Sequence, residues 1–110
     1  MEISKIDKYT HIIPTQDSFQ DFFVNFKNRY SEFIGEHLII DFSEKFNIKT
    51  GELILFLKLS VQHKENGSSF VLICSTIDID QIPLELNVVP TFTEAIDIIE
   101  MDAIERDLGF

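Results

Sequence analysis

The side chains of this chain able to do acid–base, metal or nucleophilic work are its histidines, its single cysteine and its many carboxylates. His11, His37 and His63 stand far apart in sequence. They lack the His-Glu-x-x-His spacing that brings imidazoles onto one helix face, so structural or surface roles are expected of them. Cys74 closes an apolar run, where a free cysteine behaves as a small hydrophobe. Its near neighbours Asp78 and Asp80 do not favour a thiolate. Asp78-Ile79-Asp80 has carboxylates but neither the further oxygen ligands nor the glycine turn of a calcium loop. Glu94, Asp97, Glu100, Asp102, Glu105 and Asp107 crowd the last stretch, and a solvated face accounts for them. There is no Gly-x-x-x-x-Gly-Lys phosphate loop and no Gly-x-Ser-x-Gly elbow. The expectation is a non-enzyme with no catalytic residue, metal or cofactor.

Composition narrows the class. The chain has 110 residues, enough for one domain over residues 1–110 with a core that needs no staple. It carries 9 Lys and Arg against 19 Asp and Glu, a formal charge of −10. Such a field repels nucleic acid and anionic membranes, and it suits a protein partner with a basic surface. A homodimer is also compatible. One cysteine excludes an internal disulfide framework, no apolar run is long enough for a membrane span, and Met1 to Lys5 has no signal-peptide core. A cytoplasmic location is expected by elimination.

The elements that must position these residues follow from periodicity. Glu2 to Asp7 and Tyr9 to Pro14 read as strands with a turn at Asp7-Lys8. Asp17 or Ser18 can cap a helix whose Phe19, Phe22, Phe23, Phe26, Tyr30 and Phe33 recur at helical spacing, with Gly35 as its stop. His37 to Phe42 and Phe70 to Cys74 are solid apolar runs, as in central parallel strands. Leu53 to Lys64 fits strand alternation and helix composition alike. Length and good helix formers favour a helix, capped by Asn47 or Thr50. Ile77 to Ile82 reads as a short helical turn, Asn87 to Val89 as a strand, and Thr91 with Glu94 as the capping box of a final helix. Strands alternating with helices predict an α/β fold with a mixed, mostly parallel sheet of about five strands. The first two strands are antiparallel because their link is too short for a crossover.

Three stretches resemble the STAS domain, the fold of bacterial anti-sigma factor antagonists and sulfate-transporter tails. They are His37 to Ser43, Gly51 to Leu59 with Asn66-Gly67 and Phe70 to Cys74, and Pro90 to Ala95. The resemblance implies a regulatory protein-interaction module. It also implies a phosphorylatable hydroxyl at the start of the second helix, in an Asp-Ser-Ser-Gly-like loop. Here the loop reads Ile48-Lys49-Thr50-Gly51, with Lys49 at the acceptor position and Thr50 as the loop's hydroxyl. A serine-kinase switch is therefore expected to be absent or moved to Thr50. The closing run Ile104 to Phe110 is similar to the tail of short bacterial chains that carry a ribonuclease Z label. That enzyme's His-x-His-x-Asp-His metal cluster is missing here, so its activity is not carried over. An accessory role beside such an enzyme, or a small ligand-binding α/β domain, is the alternative reading.

On the second helix, at about 100° per residue, Leu53, Ile54, Leu57 and Val61 share one face and should pack on the sheet. Leu55 and Leu59 fall among polar residues, so Leu55, Phe56 and Leu59 are the expected partner surface. For a small ligand, Asp41, Ser43, Ser75 and Thr76 mark the polar strand ends.

Overall fold

The computed structural model describes residues 1–42 and 47–109. Ser43 and Phe110 lie outside the described residues. Strands β1 (Glu2–Ile6), β2 (Tyr9–Ile13), β3 (Leu38–Asp41), β4 (Phe70–Ile73) and β5 (Asn87–Val89) form one sheet in the order β1-β2-β3-β4-β5. β1 pairs antiparallel with β2 through the Asp7-Lys8 turn, and every later pair is parallel. The α/β class, the strand count and the antiparallel start agree with the expectation from sequence.

Right-handed crossovers in an order that never reverses place successive helices on one face of the sheet. Helix α1 (Phe19–Arg29) links β2 to β3. Helices α2 (Thr50–Ile54) and α3 (Leu57–Glu65) lie between β3 and β4. Phe22, Phe26, Leu53 and Phe56 share one core cluster with Ile12, Leu38, Ile40, Phe70 and Leu72. Helix α4 (Phe92–Asp107) covers the other face, where Ala95 and Ile99 pack against Ile39, Val71 and Ile73. Successive strand residues point to opposite faces, so a strand covered on both must be apolar at every position. This is why β3 and β4 read as unbroken apolar runs.

The caps show how local chemistry sets the boundaries. Of the two candidates for α1, Ser18 is the cap, and its hydroxyl accepts from the Asp21 amide at 3.2 Å. Thr91 does the same for the Glu94 amide at the start of α4. α1 is shorter than its apolar spacing implies. It ends at Arg29, and Tyr30–Phe33 continue as a 3₁₀ turn before Gly35 takes φ 86.

The largest departure is in the segment read as one helix from Leu53 to Lys64. The Leu55 amide bonds to Glu52 O and the Phe56 amide to Leu53 O, both three residues back, and regular spacing resumes with Ser60 to Phe56 O. This tightening overwinds the chain and divides α2 from α3. The inner face becomes Leu53, Phe56, Ser60 and His63. Ile54, Leu57 and Val61, expected against the sheet, are only partly buried. An ideal 3.6-residue repeat cannot foresee a phase slip of this kind.

Candidate functional site

The loop that leads into α2 carries the residues singled out as a switch. Lys49 is the N-cap, in an extended conformation, and the Glu52 carboxylate reaches back to accept from its amide at 2.9 Å. Neither Asn47 nor Thr50 caps the helix, because Glu52 serves the first turn from inside. Thr50 is the first helical residue and is partly buried, whereas Lys49 and Gly51 are exposed.

Leu55 and Phe56 part company at the helix break. Leu55 is 51% exposed, while Phe56 is fully buried. Phe56 lies within 5.0–6.3 Å of the rings of Phe19, Phe23, Phe26, Phe42 and Phe70, at the centre of the aromatic core. It therefore cannot line a partner surface. Leu59 is partly buried and packs against the same cluster. Of the three residues expected to form the surface, Leu55 alone is well exposed. The overwound turn that draws Phe56 in is what turns Leu55 out.

The sheet brings together polar residues that spacing left apart. His11 on β2 and Asp41 at the end of β3 meet at 3.0 Å between Nε2 and Oδ2, on the α4 side. The Phe92 ring lies 5.0 Å from the imidazole and 5.6 Å from Tyr9. At the opposite strand ends, His63 is buried between Tyr30 and the loop before β3. Its Nε2 lies 2.6 Å from Glu36 O and its Nδ1 2.6 Å from the Tyr30 hydroxyl. A carbonyl only accepts, so neutral His63 carries its proton on Nε2 and receives the Tyr30 O–H at Nδ1. Burial holds the His63 imidazole below its usual range and pushes the Tyr30 hydroxyl up. The Glu36 carboxyl is held low by hydrogen bonds from Thr10 and Lys5.

His37 faces the α4 side. Its Nδ1 accepts from the Ser69 amide at 2.9 Å, and burial, with Arg106 nearby, lowers its pKa. The Ser69 hydroxyl donates to Asp102 at 2.7 Å, tying the entry of β4 to α4. A cavity of about 600 Å³ opens beside His37, between the Asp7-Lys8 turn and Ile99, Ala103 and Ile104 of α4.

Asp78 and Cys74, two further chemical candidates, have structural partners. Asp78 caps the 3₁₀ turn Ile79–Gln81 by accepting from Asp80 N–H at 3.0 Å. Cys74 is buried, with Sγ 3.5 Å from the Thr76 hydroxyl. Ser75 and Thr76 are exposed at the end of β4. Among the described residues, no group of three or more His, Cys, Asp or Glu is arranged to hold a metal ion, and no helix is long and apolar enough to cross a membrane. No family model matches the chain, and no curated protein matches it.

The histidine contacts were invisible in the sequence because each joins segments about 30 residues apart, far beyond the reach of any helical or strand repeat. Strand parity offers the one signal. Once β2 and β3 pair with His11 opposite Ile39, Asp41 falls two residues along on the same face.

Proposed function

We propose that this chain is a non-catalytic, cytoplasmic protein-interaction module of the STAS type. It offers Leu55 and the exposed part of the Lys49-Thr50-Gly51 loop to a protein partner. The observation that carries the reading is Leu55, an apolar side chain held 51% exposed one helical turn beyond that loop. A lone exposed leucine is common on protein surfaces. Here a local overwinding places it outward while its neighbour becomes core, next to the loop that the STAS resemblance makes the switch. Lys49 stands at the family's acceptor position, so recognition on this reading is constitutive, or is modulated through Thr50.

The test is quantitative affinity capture from the native cell with wild-type protein and with Leu55→Glu. The variant is expected to keep the wild-type melting temperature within a few degrees, since surface changes cost about 0.5 kcal/mol or less. It is expected to lose at least one partner that the wild type retains. A folded Leu55→Glu protein that captures the same partners in the same amounts defeats the proposal. The rival small-ligand reading draws on the His11–Asp41 pair near the strand ends. Nucleotides raising the melting temperature of wild type but not of His11→Ala would favour that reading instead.

A further inference from the structure

The C-terminal half of α4 has an outward face that neither the core nor the Leu55 surface explains. The helix starts beyond the end of β5 and spans 16 residues, about 24 Å at 1.5 Å per residue, whereas β3 and β4 have 4 residues each. Only Ala95 and Ile99 are buried. Beyond them, Met101, Ile104 and Leu108 are 56%, 58% and 65% exposed. Spacings of three and four residues put these side chains on one stripe. Ile104 also lines the 600 Å³ cavity with Ile99 and Ala103, opposite the Asp7-Lys8 turn and His37. Ile104 therefore joins the stripe to the cavity, whose apolar wall is Ile99, Ala103 and Ile104 and whose rim carries Asp7, Lys8 and Glu100.

Its surroundings are acidic. Asp97, Glu100, Glu105 and Asp107 flank the stripe, and among the described residues none of them is in a salt bridge. Asp102, by contrast, is held by Ser69. Arg106, Lys64 and Lys8 are the cations lining the adjoining cavities, and Lys64 donates to the Glu85 carbonyl. A second copy would bring the same carboxylates against themselves, and an anionic lipid surface or a nucleic acid would meet the chain's charge of −10. The occupant that satisfies both the apolar stripe and the uncompensated carboxylates is cationic and amphipathic.

We propose that the outer face of α4, from Asp97 to Leu108, docks a cationic amphipathic helix of a partner protein. The helix would lay apolar anchors over Met101, Ile104 and Leu108, with lysines or arginines against Glu100, Glu105 and Asp107. This surface lies across the sheet from Leu55 and stands or falls independently of it.

The probe is a synthetic helical peptide with leucines at alternating three- and four-residue spacing and lysines on the flanks. It is compared with a twin bearing glutamates for lysines and with a scramble of the same composition. Binding is followed by fluorescence anisotropy and by NMR shifts of the full chain. The lysine peptide is expected to bind, to shift the amides of Met101, Ile104 and Leu108, and to weaken as salt is raised. The combined change Met101→Ser, Ile104→Ser and Leu108→Ser should weaken it by about ten-fold or more, as should Glu100→Lys with Glu105→Lys. Leu55→Glu should leave it unchanged. Equal binding of the glutamate twin or the scramble overturns the proposal, as do shifts confined elsewhere or undiminished binding by both α4 variants. A dimer of the chain that dissociates on the serine changes, or stripe-dependent binding to phosphatidylserine vesicles, assigns the surface to another occupant and overturns it too.

Discussion

The two faces of the sheet are built on different plans. Under α1, α2 and α3, phenylalanine rings interlock, with Phe26 and Phe56 each touching several others. Under α4 the cover is mostly aliphatic: Ala95 and Ile99 rest on Ile39, Val71 and Ile73, with Ile96, Ile98, Val89 and Tyr9 packed at the edges. Aromatic rings bury more area and pack with more specific geometry than alanine and isoleucine do. The first face is thus the main source of stability. The second is a light cover whose helix reaches past its own support, and that excess length leaves side chains free to meet another molecule.

The sharpest way to break this contrast is to cut into both faces equally. Phe56→Ala is expected to cost about 3–5 kcal/mol and Ile99→Ala about 2 kcal/mol by urea unfolding. Equal losses would mean that α4 is as firmly held as the phenylalanine face.

Each face also holds a neutral histidine, His63 on the first and His37 on the second. Both are lowered from an ordinary value of 6.5, chiefly by burial. The unfolded chain therefore takes up protons near pH 6.5 that the folded chain refuses. Stability should be fully present above that pH and fall as pH drops below it. Denaturant midpoints at a series of pH values measure this. The slope should shrink in His63→Gln and in His37→Gln, and unchanged slopes in both would remove histidine from the explanation.

The smallest effect is expected at Ser60, whose buried Oγ has no hydrogen-bond partner among the described residues. Ser60→Ala removes an unsatisfied polar atom and installs a better helix former, so it should be neutral or stabilising by up to about 1 kcal/mol. A clear loss of stability would show that the hydroxyl has a partner in solution.

How far these features can be read in the sequence depends on the range of the forces that set them. Ser18 and Thr91 act on amides three residues away, and the apolar runs at Leu38 and Phe70 announce strands covered on both sides. Of the exposure expected at Leu55, Phe56 and Leu59, only that of Leu55 was legible. Whether Phe56 lies inside or outside depends on whether the helix overwinds at that step, and the pull comes from Phe19, Phe42 and Phe70, brought in by tertiary packing. The His11–Asp41 and His63–Tyr30 contacts likewise exist only once strands and helices have assembled. Local rules therefore located the elements, and side-chain exposure within α2 and α3 was decided by neighbours remote in sequence.

The strand order has a consequence for how the molecule is made. Because spatial order equals chain order, each strand is added beside the one that came just before it. The sheet can grow from one edge without reserving a gap for a later segment to fill. The β1–β2 hairpin is the most local pairing and a natural seed, since short loops close at the least entropic cost. The crossovers to β3 and β4 then bring helices that cover the sheet, and α4 closes the far side only after its floor of Ile39, Val71 and Ile73 has been laid. The strand order is thus compatible with the direction of synthesis, which also runs from β1 to β5.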